Sequence, residues 1–369
     1  MSFDGILFWV VAIPLLLLVL IPLVMVHELG HFIMARLSGI RVLEFGLGFP
    51  PRAKVLGHDR ETEYTLNYLP IGGFVRLEGE ETHSDDPRAF TNAPLAKQLI
   101  VLAAGVFMNL VTATVLFFIV AWAFNPRVQP TIATVLPGTP AQAVGLQQGD
   151  VLVSINGKTF SAPSVLEFGN SGNVDQWITE LRSHAGQVVT LVVADAGGNQ
   201  RSILVSLAVP TAGNGALGVQ IGASLVNSPG DPVSSIGMAV GGTGRAMDLI
   251  LGAVGDIGRQ LVTNPSQAPP GVQGPVGIAS DVGHAASQPN AVMLFLLLAA
   301  VLSANLALVN VLPVPVLDGG KMVIMVVKRI FGARGVSAVE TFAYVASFAL
   351  LLAFVGWITY FDIMRGGAP

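Results

Sequence analysis

The sequence predicts a polytopic α-helical membrane protein with four transmembrane helices, a cytoplasmic membrane-associated β segment and an inserted extracytoplasmic α/β domain. Three observations carry this. The 369 residues are 52% hydrophobic and 11% charged, against about 25% charged in soluble domains. Four uncharged apolar runs are each long enough to cross a bilayer core, which takes about 20 residues. Lys and Arg gather in two short connectors between those runs.

The first run, Gly5 to Val26, has no basic residue before it and no small-residue cleavage site after it. It reads as a retained transmembrane helix rather than a signal peptide. The others are Leu99 to Phe124, Ala291 to Leu317 and Thr341 to Phe361. The first connector carries Arg36, Arg41, Arg52, Lys54, Arg60, Arg76, Arg88 and Lys97; the last carries Lys321, Lys328, Arg329 and Arg334. Both are therefore expected in the cytoplasm, with the large insert and both termini outside. A net charge of −4 gives no reason to expect nucleic-acid binding. The absence of cysteine excludes disulfides, thiolate ligands and a cysteine nucleophile.

The organisation expected is a first transmembrane helix with a His-rich motif (1–37), a cytoplasmic β segment (38–97) and a second transmembrane helix (98–125). An α/β module (126–210) and a Gly- and Pro-rich segment (211–290) follow, then a third transmembrane segment with an Asp-Gly motif (291–330) and a fourth helix (331–369). In the β segment, short apolar stretches are broken by Gly and Pro, and Gly72-Gly73 marks a turn or a close backbone approach. The module begins with a strand and a Pro-Gly turn, and continues to an Asn-Gly hairpin turn at Asn156-Gly157. Its Pro-Gly-Thr-Pro-Ala, Gly-Leu, Gly-Asp and Ile-Asn-Gly elements, in that order, resemble a bacterial-type PDZ domain. A PDZ-like Gly-Leu-Gly-Phe at 46–49 lies too far upstream to belong to it. Ile236 to Val262 mixes apolar residues with Arg245, Asp248, Asp256 and Arg259. That pattern fits a helix on the outer membrane surface or one packed on the module.

The chemistry concentrates at His27-Glu28-Leu29-Gly30-His31. On a helix, positions i and i+4 share a face, so two imidazoles can hold one zinc ion while Glu28 serves as general base. Ionisable groups at the end of an apolar span mark function by default. A catalytic zinc site needs one more protein ligand. His58, His83, His184 and His284 all lie away from membrane depth, whereas Asp318 ends the third apolar run on the side where the first run ends. Pro313 and Pro315 break the helix just before it. Unwound backbone at membrane depth is tolerated where it lines a cavity, and could take an extended substrate by strand addition. Asn305 and Asn310, just upstream, could bond substrate backbone or neighbouring helices.

Together these residues resemble the site-2 protease family of intramembrane metalloproteases, in particular its bacterial branch in regulated intramembrane proteolysis. His27, Glu28 and His31 match the family's zinc-helix motif. Asn310, Pro313, Pro315, Leu317, Asp318 and Gly319 match its Asn-x-x-Pro-x-Pro-x-Leu-Asp-Gly motif, and Gly105 and Asn109 its Gly-x-x-x-Asn element. The resemblance implies Zn2+ held by His27, His31 and Asp318, with Glu28 as base. It implies substrate contacts at Asn310, Pro313, Asn305 and the Gly72-Gly73 strand. It also implies single-span membrane protein substrates such as an anti-sigma factor or a remnant signal peptide, trimmed on the outer side and filtered by the PDZ domain. The location implied is the bacterial inner membrane, with the site near the cytoplasm. The best-known members carry two PDZ domains; this chain has one. Two other readings stay open: a membrane-anchored zincin cutting soluble or misfolded segments with Glu340 as third ligand, and a PDZ scaffold or transporter without enzymatic activity.

Overall fold

The computed structural model describes residues 3–80, 84–160, 162–167, 172–195, 198–210, 215–227, 229–264, 266 and 271–365. His83 lies outside them. The chain divides into two compact units, residues 1–117 with 243–369, and residues 118–242.

In the first unit, α1 (Phe3–Leu37) runs on past its apolar stretch, so the His-rich motif stays helical. Among the described residues, four helices are long and apolar enough to cross a membrane: Leu7–Leu37, Leu95–Phe124, Ala291–Val311 and Val339–Met364. The chain is thus built as an integral membrane protein. Strands β1 (Val42–His58) and β2 (Glu63–Leu77) follow α1, and both fold back on themselves. The first half of β1 pairs with both halves of β2, as in Gly46 with Thr65 and with Phe74. The second half of β1 pairs with the first half of β2, as in Val55 with Thr65. Four short segments result, ordered 52–58, 63–67, 44–47 and 73–77, so that among the described residues 73–77 pairs on one side only. Residues 46–49 sit in this sheet, not in the module that follows α2 (Leu95–Ile119).

In the second unit, β3 (Arg127–Val135), α3 (Pro140–Ala143), β4 (Val151–Ile155), β5 (Lys158–Thr159), α4 (Gly172–Ser183), β6 (Val188–Ala194), β7 (Gln200–Ser206) and β8 (Val219–Val226) build an antiparallel sheet. Its order is β7-β6-β4-β3-β8, with β5 on β4. The expected hairpin turn is present: Asn156 and Gly157 both have positive φ, 48° and 78°, as this turn requires. Trp177 fills the core of the unit. The sheet also takes in β8, beyond the expected boundary at residue 210, by pairing it along β3.

Described residues of the Gly- and Pro-rich segment form regular elements that its composition does not suggest. Besides β8 it forms α5 (Pro232–Thr263) and α6 (Pro275–Ala286). Helix α6 packs on α1 through Ala279, Val282 and Leu16. The Asp362 carboxylate accepts from the Gly274 and Gly277 amides at 2.9 and 2.8 Å, which ties the start of α6 to the fourth span. The third span was expected to reach Leu317, but α7 (Ala291–Val311) stops earlier. Residues 312–317 are non-helical because Pro313 and Pro315 cannot donate to a helix ladder. An amphipathic α8 (Asp318–Phe331) then precedes α9 (Ala333–Met364). Gly319 and Gly320 permit this fold-back: a Cβ on either would lie 2.1 Å from the Val311 oxygen or 2.0 Å from the Val314 oxygen.

Candidate metal centre

The site is built on the last turns of α1, one face of α2 and the start of α8, all in the first unit. His27, Glu28 and His31 each offer a donor atom within 4.8 Å of the others. Asp318 comes from the far end of the chain to join them. Its Oδ2 lies 3.0 Å from His27 Nε2 and 3.3 Å from His31 Nε2, and the two Nε2 atoms are 3.0 Å apart. Zinc bonds of about 2.0–2.1 Å in tetrahedral array place donor atoms about 3.3 Å apart. Two imidazole nitrogens and a carboxylate oxygen at these spacings therefore fit a zinc ion and leave a fourth position free for water or substrate. All three side chains are buried and Glu28 is half-buried, so the pattern is no solvated surface cluster.

Neighbouring groups orient the imidazoles. His31 donates from Nδ1 to the Val101 carbonyl at 2.8 Å, which leaves its Nε2 for the metal. Behind His27, Asn109 is fully buried, with Nδ2 3.3 Å from His27 Nδ1 and with Oδ1 unpartnered. A half-turn of the amide places Oδ1 to accept from His27 Nδ1–H and removes both mismatches. Ser303 donates to the Asn109 carbonyl at 2.8 Å, linking α7 to this wall. Close approach of α1 and α2 depends on two glycines. A Cβ on Gly30 would lie 2.4 Å from the Ala104 oxygen, and one on Gly105 would lie 2.4 Å from His31 Nε2.

The residues assigned to substrate fall around this centre. A Cβ on Gly73 would meet Met25 Sδ at 2.4 Å, and Gly72 with φ +76° lies beside Val24. Segment 73–77 thus lies against the turn of α1 that precedes His27. Asn305 and Asn310 are half-buried on α7, without side-chain hydrogen bonds to described residues, and Pro313 is exposed. Glu340 pairs with Lys328 at 2.8 Å rather than with either imidazole. His184 contacts Gln187 and Glu180 on its own unit, and His284 bonds Ser280 and packs its ring on Phe8, so neither joins the cluster at His27. Sequence reasoning missed the Val101 carbonyl and an ion pair between Glu80 and Lys321, 2.9 Å apart; no motif marks either of them.

Comparison with known proteins agrees with this geometry. A profile of peptidase family M50 matches residues 15–354. A Clostridium perfringens protein named for zinc metalloprotease activity is 33% identical over 354 residues, which cover 94% of this chain and 97% of the relative. A similarly named protein of Clostridium acetobutylicum is 31% identical over 344 residues, 93% of this chain and 94% of the relative. A chloroplastic protein of Arabidopsis thaliana named for membrane metalloprotease activity is 30% identical over 349 residues, 92% of this chain and 76% of the relative.

Proposed function

Because the chain belongs to peptidase family M50, and is thereby a zinc metalloprotease held in a membrane, we propose that it cleaves single-span membrane proteins within or beside the bilayer. The carrying observation is the convergence of His27, His31 and Asp318 at the end of one membrane helix and just past the break of another. In this reading those three hold the zinc and Glu28 is the general base. A zinc ion held there would polarise the scissile carbonyl and make water more acidic. Glu28 takes a proton from the attacking water and passes it to the leaving amine. Among the described residues segment 73–77 pairs on one side only, which supports strand addition by an unwound substrate. Asn310, Asn305 and the exposed Pro313 face that substrate from the broken helix.

The second unit acts as a PDZ domain that filters substrates on the outer side. The distribution of Lys and Arg supports a site near the cytoplasmic face of a bacterial inner membrane. Anti-sigma factors and remnant signal peptides are the substrate classes that suit such an enzyme. The test is cleavage of a tagged single-span substrate, shortened on its outer side, by purified wild type and Glu28→Gln, with zinc assayed in both. Cleavage by wild type alone, with equal zinc, is expected. Absence of zinc from both would refute the assignment of the ligands. Asp318→Ala should lose its zinc; retention there would favour a zincin arrangement with another acid as third ligand.

A further inference from the structure

A cavity of about 80 Å3 adjoins the metal centre, lined by Glu28, His31, Asp318, Glu80, Lys321 and four aliphatic side chains. The ligands and the base account for three of the five polar residues. Lys321 and Glu80 have no part in the reaction as derived above, yet they share its cavity. Asp318 and Lys321 are three apart on α8 and so present to one side of that helix. The Lys321 ammonium is held at 2.9 Å by the Glu80 carboxylate from just beyond β2, and their side chains are 32% and 21% exposed. A cation drawn that far from water needs such a partner.

Amide hydrolysis builds negative charge on the carbonyl oxygen, and a preorganised donor aimed at that oxygen is a large source of rate. The cavity has two side chains that can donate. Both ring nitrogens of His31 are committed, Nδ1 to the Val101 carbonyl and Nε2 to the metal position. Lys321 is the donor that remains among the described residues of the cavity.

We propose that Lys321 is a catalytic residue whose ammonium donates a hydrogen bond to the scissile carbonyl oxygen as that oxygen becomes negative, with Glu80 positioning the ammonium. The proposal rests on the protease reading above. The bond from water oxygen to carbon forms, the carbon–nitrogen bond breaks, and the water proton reaches the amine through Glu28. Lys321 keeps its own proton throughout.

The test uses full-length protein in detergent: wild type, Glu28→Gln, Lys321→Met, Lys321→Arg, Glu80→Gln and the double variant Lys321→Met/Glu80→Gln. Zinc content, melting temperature, kcat, KM and affinity for a phosphinic peptide, a mimic of the tetrahedral intermediate, are measured for each. Lys321→Met should lose about 10²–10³ in kcat with KM and zinc unchanged, and phosphinate affinity should fall in parallel. Glu80→Gln should lose much less, because the ammonium is still present, and Lys321→Arg should recover part of the rate. The double variant leaves no unpaired carboxylate and should match Lys321→Met in rate even if the single variant folds poorly. Equal losses in Lys321→Met and Glu80→Gln, or phosphinate affinity unchanged in both Lys321→Met variants, would overturn the proposal and leave a structural ion pair. Failure of the protease reading looks different, since wild type itself would then neither cleave nor hold zinc.

Discussion

Gly105→Ala tests the centre through a single methyl group. The added Cβ would lie 2.4 Å from His31 Nε2, 2.5 Å from His31 Cε1 and 2.8 Å from His27 Cε1. Ordinary carbon contacts begin near 3.5 Å, so the imidazoles must retreat by about 1 Å or α1 and α2 must separate. A retreat of 1 Å is half the length of a zinc–nitrogen bond of about 2.0–2.1 Å, enough to break the ligation. Separation of the helices costs about 1–3 kcal/mol as an overpacked core and moves the ligands as well. Gly105→Ala should therefore lose most of its zinc in a chelator-competition assay. Cleavage should fall by about 100-fold or more, the usual cost of a 1 Å misplacement. Gly30→Ala is the matched comparison. Its Cβ would strike the Ala104 oxygen at 2.4 Å, and its three nearest atoms belong to Ala104 and Met108, so it should lower the melting temperature more than the zinc affinity. Gly356→Ala, with nothing within 4 Å, should change neither. Stoichiometric zinc and wild-type cleavage in Gly105→Ala would refute the placement of the imidazoles against α2.

Asn109→Ala should weaken zinc binding by about 10- to 100-fold, the usual effect of losing a partner behind a ligating imidazole; Asn109→Asp, which keeps an acceptor, should retain most of it in the same competition assay. Gly320→Ala would place its Cβ 2.0 Å from the Val314 oxygen, so it should displace Asp318 and release zinc while leaving the fold of the second unit intact by circular dichroism. The turn between β1 and β2 should show a defined pH response. The Glu61 and Thr62 amides donate to Asp59 Oδ1 at 3.0 and 2.9 Å, and they hold this carboxyl below its ordinary value, aided by Arg36. A depressed acid stabilises the fold above its unfolded value of about 3.9, and the contribution fades as pH falls further. Amide exchange in residues 58–64 should thus be flat from pH 7 to about 4 once corrected for intrinsic rates, then rise. Asp59→Asn should abolish that step.

The convergence of His27, His31 and Asp318 was legible in the sequence where chemistry and topology agreed. A His-Glu-His set can be read from helical spacing alone, and the alternation of spans brings Asp318 to the same end as His27. Four spans, the Asn156-Gly157 turn and the break at Pro313 and Pro315 follow from local rules that tertiary contacts do not override. Contacts between distant segments were not legible. The fold-back of β1 and β2 depends on where residues 44–47 find partners on both sides, and no period records that. The order of β8 and α6 was hidden because they owe their stability to β3, α1 and Asp362. Glycine and proline are common there, and composition alone suggests loose chain. Lys321 read as one of several topogenic charges, since a cation that orients a membrane protein and one that reaches into a cavity look alike in one dimension.

Three pairs of glycines surround the centre, and each solves the same geometric problem. A carboxylate on a short side chain can meet two imidazoles only if its backbone comes close to theirs. Gly319 and Gly320 let the broken end of α7 press on the start of α8, where Asp318 stands. Gly30 and Gly105 bring α1 and α2 together, so the Val101 carbonyl and Asn109 reach the imidazole nitrogens that face away from Asp318. Gly72 and Gly73 bring the one-sided strand against α1 within a turn of His27. In soluble proteins polar centres of this kind can relax into water, but in a membrane an unsatisfied polar group costs several kcal/mol. Backbone contact therefore does here what hydration does elsewhere, which is why a methyl group at Gly105 or Gly320 should be felt first as loss of metal and only then as loss of fold, whereas one at Gly30, set against the α2 backbone, should be felt first as loss of stability.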